Sequence, residues 1–377
     1  MRVPFVDLSL RFATYRQAFH AALDSILDHG QCILGPEVEQ FETAIANFCS
    51  SRHAIAVANG TDALVLSLKA SGIEAGDEVI TTPMSYLAST SSIVLAGATP
   101  VFADVGGDLN LDPDAVEAAI TPRTKAILLV HLAGNPAQVD RLADLARRYR
   151  LSLLEDCAQA VGATYEGQTV GTFGDFGAVS LHPLKNLGTL GDAGVILTNH
   201  DGMAGWLRVA RNHGHSSRDQ CEFWSINSRL DSLHAAFLIE MLSDLPNFLV
   251  ERRKQAARYQ EGLAGWVGFP SVAATAKPTF NMFMILVERR EDLQRHLYHH
   301  GIETRIHYPL LIPNMKAAAG IRRPNSLKKA ESYSSSILSL PMGIHLSNEQ
   351  IDFTIEQIVE YCNKANPKAE SFRMAHS

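Results

Sequence analysis

The chain has 377 residues, 46% of them hydrophobic and 19% charged, and a formal net charge of −7. This length predicts two domains with ample core, and the acidic balance excludes a general nucleic-acid binder, whose phosphate-facing surface must be basic. Five cysteines (Cys32, Cys49, Cys157, Cys221, Cys362) form no paired metal spacing, an opening segment MRVPFVDLSLRF lacks a signal-peptide pattern, and no apolar run approaches membrane-spanning length. A cytoplasmic protein with free thiols is expected.

In chain order, the N-terminus reads as an extended arm followed by a helix over Tyr15 to Leu27. A turn at GQCILGP leads into an amphipathic helix, Glu37 to Phe48, with Pro36 suited to its first turn. Strand-like runs then lie at Ala54–Ala58, Glu78–Thr81, Pro100–Ala103 and Ala126–His131. Helical periodicity fills the gaps at Ala63–Ala70, Ser85–Ala96, Asp114–Ala119 and Gln138–Arg148. Such alternation implies a mainly parallel sheet covered on both faces. Further apolar runs follow at Leu151–Leu154, Phe176–Leu181 and Val195–Leu197, then a helix, Met203–Arg211. One helix is expected over Ser232–Leu242, broken near Pro246, and another over Leu249–Leu263. A strand at Phe283–Val287, a helix at Asp292–His299, the segment Ile302–Tyr308 and a closing helix, Asn348–Tyr361, suggest a smaller α+β domain. The expected division is a large domain over 1–248, a small one over 249–365 and a flexible polar tail over 366–377.

The chemistry concentrates between residues 151 and 197. One buried run ends in Glu155 and Asp156; the next ends in Ser180, His182 and Lys185, followed by a glycine-rich turn. Ligands of open α/β sheets bind beyond the carboxyl ends of the strands, so a carboxylate, a hydroxyl and a lysine reach one ligand face. A lysine with a buried acid suggests a Schiff base to pyridoxal phosphate, the acid keeping the pyridine nitrogen protonated. A surface lysine and a helix-capping acid would give the same spacing, and spacing alone leaves both readings open. Gly60 and Thr61 follow a strand and open a helix, where free backbone amides can bind phosphate, though such a turn is also a common helix cap. His213 with His215, and His299 with His300, have no carboxylate or cysteine set at ligand spacing, so no metal is expected.

The segments EDCAQAVGA, GTFGDFGAVSLHPLKNLGTLGDAGVILTN and RNHG strongly resemble the DegT-type sugar aminotransferases, which are fold-type-I pyridoxal-phosphate enzymes. LGPEVEQFE, ANGTDAL, GDEVITTPMSYLAST, NSRLDSLHAAFL, GIETRIHYP and LSLPM fit the same family in the same order, from about Phe5 to about Glu360. The resemblance implies a large domain with a mostly parallel sheet and a smaller C-terminal α+β domain. It implies amino transfer from an amino acid, glutamate in the family's habit, to a keto sugar, most often nucleotide-linked. Lys185 corresponds to the family's cofactor-bonding lysine and proton shuttle, where family dehydratases carry histidine. Asp156 corresponds to the partner of the pyridine nitrogen, Gln159 to the side chain beside the ring hydroxyl, and Ala158 to the small residue against the ring. Tyr86 corresponds to the stacking aromatic, and Ser180 joins Gly60 and Thr61 at the phosphate. Asn227 and Arg229 correspond to a loop reaching into a second subunit, Asn227 towards its cofactor phosphate, which implies a homodimer with shared sites. His182, His307 and Tyr308 fall near the substrate. Departures occur at Leu181, Leu184, Ser225 and Ile226, and in the stretch Leu311–Asn314, which bears on the sugar specificity. Alternatives are an aminotransferase for a cyclitol or keto-sugar acid, and a cofactor-binding regulator without turnover.

Overall fold

The computed structural model describes residues 1–321 and 326–365; the expected tail at 366–377 lies outside the described residues. Seven strands form the central sheet: β1 His53–Val57, β2 Glu78–Thr81, β3 Thr99–Phe102, β4 Thr124–Val130, β5 Ser152–Asp156, β6 Phe176–Ser180 and β7 Gly194–Thr198. Their spatial order is β1-β7-β6-β5-β4-β2-β3. The pairs β6–β5, β5–β4, β4–β2 and β2–β3 are parallel, while β7 runs antiparallel to both β1 and β6. The expected mostly parallel sheet is therefore present, with one reversed strand.

The pleat explains why these strands are apolar throughout. Successive side chains point to opposite faces, and here both faces are covered. Along β4, Ala126, Leu128 and Val130 enter one core, with α4 (Gly60–Ala70) and α8 (Asp201–Ala210). Ile127 and Leu129 enter the other, with α3 (Pro36–Cys49), α7 (Val139–Tyr149) and α9 (Ser232–Gly262).

A third core lies under the C-terminal region, where β8 (Phe283–Leu286) pairs antiparallel with β9 (Ile337–Leu340). Helices α10 (Arg290–His299), α11 (Lys328–Ser336) and α12 (Asn348–Ala365) belong to this region. Val3 from the arm is buried in it and bridges Ile302.

Three expectations are corrected. The arm is not wholly extended, because α1 (Leu8–Ala13) forms there, with the Asp7 side chain accepting from the Leu10 amide at 3.1 Å. Helix α2 (Arg16–His29) follows. Pro246 does not break the chain: α9 runs unbroken for 31 residues. A helix-interior proline loses one backbone bond and costs about 3 kcal/mol, but Leu242, Leu245 and Leu249 around it are buried in core. The two halves of α9 serve different cores, Leu238 and Leu245 one, Ala256 and Tyr259 another. Finally, Ile302–Tyr308 forms no strand, only single bridges from Ile302 to Val3 and Arg305 to Ser339; the partner of β8 is β9 instead. Among the described residues α9 has the length and composition of a membrane span, yet Phe237, Leu238, Met241, Leu242, Leu245 and Leu249 are buried in core.

Candidate active site

A cavity of about 1020 Å³ opens over the carboxyl ends of the parallel strands. The sheet delivers its walls in sequence. Strand β1 runs into Asn59 and Gly60, β4 ends at Val130, β5 at Asp156 and β6 at Ser180, and all five residues line the cavity. The reversed strand β7 explains how the lysine arrives. Ser180 pairs with Gly194, so the connection between β6 and β7 begins and ends at the cavity. Lys185 sits in that connection, its amide bonded to the His182 carbonyl at 2.8 Å.

The adjacent acids Glu155 and Asp156 part company through the pleat. Asp156 is 5% exposed; Ser89 of α5 (Ala88–Leu95) donates to its Oδ2 at 2.8 Å and the Ala158 amide to its Oδ1 at 3.1 Å. Burial nevertheless lifts its carboxyl above the ordinary range, opposed by Ser89, Ala158 and the Lys185 charge. Burial likewise lowers the Lys185 amine, which Asp156 partly offsets. Glu155 points to the other face and touches no part of the cavity. It accepts from the Gly171, Phe173 and Gly174 amides at 2.7–2.8 Å and meets His131 Nε2 at 3.0 Å.

Glu155, His131 and Cys157 are the group among the described residues with metal-ligand chemistry. Their atoms are otherwise engaged: the Ala137 amide donates to His131 Nδ1 at 3.0 Å, and burial pushes the Cys157 thiol well up, away from the thiolate a metal needs. The carboxylate is a buttress for the 171–174 turn. Glu155→Gln, which sets an amide N–H₂ against backbone donors, is expected to cost about 2–4 kcal/mol, read as a lower urea midpoint. An unchanged midpoint would contradict this role.

Helix α4 starts at Gly60, with Asn59 as its cap: its side chain accepts from the Asp62 amide at 2.8 Å and its carbonyl from the Ala63 amide. The Gly60 and Thr61 amides, which have no intrahelical acceptor, stand at the cavity wall. A Cβ on Gly60 would lie 2.6 Å from Ser180 Cβ, so only glycine admits this approach of helix to strand. Amides at a helix N-terminus beside a hydroxyl are suited to hold a phosphate, and a buried carboxylate with a lysine is suited to hold the ring.

The remaining residues fall into two groups. Tyr86, Ala158, Gln159, His182, His307 and Tyr308 all line the cavity. Gln159 Oε1 accepts from the Ala133 amide at 2.5 Å and its Nε2 lies 3.4 Å from the Tyr308 hydroxyl. The Tyr86 and Tyr308 rings are 6.5 Å apart. Burial, with the Lys185 and Arg305 charges, takes His307 down to about 4, leaving a neutral imidazole bonded to Ser339 Oγ at 2.9 Å. His182 is exposed, its Nδ1 accepting from the Leu184 amide. Asn227 and Arg229 are not brought to this chain's cavity. Asn227 is exposed and bridges Asn212, whose side chain receives the Arg229 guanidinium at 3.1 Å. The departing stretch Leu311–Asn314 does not line the cavity: Leu311 and Ile312 are buried, and the Ile312 amide bonds the Pro83 carbonyl.

Sequence reasoning passed over Ser89, Arg11 and Arg252. Ser89 had a usable signal, since it lies one helical turn beyond Ser85 and Tyr86 in MSYLAST. The two arginines had none, because their partners are backbone carbonyls far along the chain.

Such a sheet, with this lysine and acid at its carboxyl edge, defines a pyridoxal-phosphate-dependent transferase of fold type I. The profile of the DegT/DnrJ/EryC1/StrS aminotransferase family matches residues 14–359, and the chain belongs to that family. It is 42% identical over 369 residues to dTDP-3-amino-3,4,6-trideoxy-alpha-D-glucose transaminase of Streptomyces venezuelae, covering 97% of each chain. The crystal structure of DesV from S. venezuelae superposes with a TM-score of 0.93 at 42% identity, over 96% of this chain and 98% of that one. NtdA of Bacillus subtilis, solved with its bound cofactor PMP, superposes with a TM-score of 0.89 at 29% identity, over 96% and 85%. The protein is accordingly a pyridoxal-phosphate-dependent aminotransferase.

Proposed function

We propose that this aminotransferase moves an amino group from an amino acid, glutamate as first choice, to a nucleotide-diphosphate keto-deoxysugar. The observation that carries the acceptor is the cavity. Its volume of about 1020 Å³ stands at the upper end of the ~300–1,000 Å³ typical of a single ligand site, which leaves room for a large acceptor beside the cofactor. The S. venezuelae relative is named for a dTDP-linked sugar. Of the departing stretch, Leu311, Ile312 and Pro313 are buried and Asn314 is exposed, and none of the four lines the cavity, which weakens the sequence argument for a reshaped acceptor wall.

In this reading the cofactor, when bound, supplies an electron sink that lets an amino group be detached from one carbon and placed on another. Lys185 holds the cofactor and moves the proton at the reacting carbon; burial lowers the pKa of its amine, which eases that proton transfer. Asp156 presents its carboxylate to the pyridine nitrogen, and Gln159, fixed by the Ala133 amide, stands beside the ring hydroxyl. Gly60, Thr61 and Ser180 take the phosphate, Ala158 and Tyr86 the two ring faces, and His182, His307, Tyr308 and Arg305 the substrate. The test offers nucleotide keto sugars, an inosose and a keto-sugar acid to enzyme carrying the amine form of the cofactor. Aminated nucleotide sugar by mass spectrometry is the expected result; amination of only the other two ends the nucleotide reading.

Asn227 and Arg229 fit a task in a second subunit, Asn227 at its phosphate and Arg229 at its substrate. Two-fold dimers are the commonest assembly, and the chain exposes apolar side chains: Trp224, three residues before Asn227, is 96% exposed, and α5 presents Val94 and Leu95. A homodimer with shared sites predicts complementation. Mixing a Lys185→Ala chain with an Asn227→Ala/Arg229→Ala chain restores activity through hybrids with one intact site; a fully active monomer excludes sharing. The division into a large unit, 1–248, and a small unit, 249–365, remains part of this proposal, as does a cytoplasmic location suited to five free cysteines.

A further inference from the structure

The loop carrying Lys185 is held from the opposite end of the chain. Arg11, in the last turn of α1, is 8% exposed. Its Nη1 donates to the carbonyls of Pro183 (3.0 Å) and Lys185 (2.6 Å), and its Nη2 to that of Asn186 (2.6 Å). Its guanidinium lies 5.3 Å from the Phe248 ring centroid, and Arg252 lies 5.6 Å from the same ring. Arg252 donates to the Phe280 carbonyl at 2.8 and 2.6 Å and to that of Asn281 at 3.1 Å. Asn281 Oδ1 in turn receives the Asn186 amide at 3.2 Å. The lysine loop is thus braced on one side by Arg11 and on the other by the turn that Arg252 holds.

Neither arginine forms a salt bridge among the described residues. Burial lowers Arg11 to about 10 and Arg252 to about 9, so both stay charged near neutrality. A buried cation without a counter-ion is unfavourable unless its hydrogen bonds are met. Here backbone carbonyls meet them, and three of the carbonyls belong to the loop that presents the reactive amine.

We propose that Arg11 is a positioning residue for amino transfer, its three-carbonyl fork fixing the Lys185 backbone so that the amine is held at the cavity. This rests on the reading of Lys185 as the cofactor-bonding lysine. The fork geometry is the active element, since five N–H groups in one plane serve three carbonyls and an ammonium cannot reproduce that spread. A loosened loop admits water to Lys185 and favours its charged form, against a surrounding set of Asp156, His307 and Arg305, with His182 and Asp192 on the same cavity.

The test compares holoenzyme with Arg11→Lys and Arg11→Met variants. Three quantities are read: the pH midpoint of the bound cofactor's visible absorbance, the yield of the borohydride-trapped Lys185–cofactor bond, and kcat against KM for glutamate. In both variants the midpoint is expected to rise by about one unit, and kcat to fall ~10- to 100-fold with KM changed less than about threefold. Folded variants with an unmoved midpoint and wild-type kcat overturn the inference alone. Absence of any trapped bond at Lys185 in the unmodified enzyme overturns both it and the cofactor reading. Should neither variant fold, Phe248→Leu removes the ring beneath both guanidiniums; the same upward shift supports the inference, and an unmoved midpoint in that folded variant overturns it.

Discussion

Lys185→Ala is expected to abolish the covalent link to the cofactor and to lower turnover by roughly 1,000-fold or more, since both nucleophile and proton shuttle go. The fold should survive. Lys185 is half-buried at a cavity wall, its backbone is held by Arg11 and His182, and no salt bridge depends on its amine among the described residues. Burial disfavours its charged form, so truncation removes an electrostatic penalty along with the catalyst. Borohydride reduction followed by peptide mass spectrometry should find the adduct in the unmodified enzyme and none in the variant, with circular dichroism unchanged. A variant turning over at the parental rate would mean that another residue bonds the cofactor.

The second large effect is expected at Asp156. Asp156→Asn keeps the size and one acceptor, so the Ala158 amide retains its partner, and the Ser89 hydroxyl can rotate to accept from the new amide. Only the negative charge goes. Loss of one preorganised electrostatic contact typically costs about 100- to 1,000-fold in kcat, and that range is expected here with an unaltered urea midpoint. Stability should not fall, because burial already raises the energy of the Asp156 carboxylate. Glu155→Gln serves as the opposite case: whichever oxygen becomes the amide nitrogen faces its former donors, the Phe173 and Gly174 amides at Oε1 or the Gly171 amide and His131 at Oε2. If Asp156→Asn unfolds while retaining specific activity, the two acids have exchanged roles and the assignment is wrong.

The contrast between these neighbours shows how much was legible beforehand. Two acids at a strand end could be read from EDC, and the resemblance singled out Asp156. The geometry adds a reason: side chains alternate across a sheet, so Leu154 and Asp156 share the face towards α5, while Leu153 and Glu155 share the other. Apolar runs bounded by glycine located the strands, because a sheet covered on both faces needs no polar alternation. Periodicity failed at Pro246, where local propensity was overridden by burial on two cores. Nor did it show which segment pairs with β8: Ile302–Tyr308 makes only single bridges, and the partner is β9.

By itself the sequence determined the class of sheet, from local composition, and the family, whose model matches residues 14–359, and the resemblance pointed to Lys185, Asp156 and Gln159 as the proposed site. Only the tertiary structure decided that β7 runs backwards and so returns the lysine loop to the cavity. Only it decided that Ser89 restrains Asp156, that Leu311 and Ile312 are buried away from the cavity, and that Arg11 grips a loop more than 170 residues away. The reason is physical: a guanidinium bonded to backbone carbonyls recognises positions in space and no side chain, so it leaves no partner pattern in the sequence to be read.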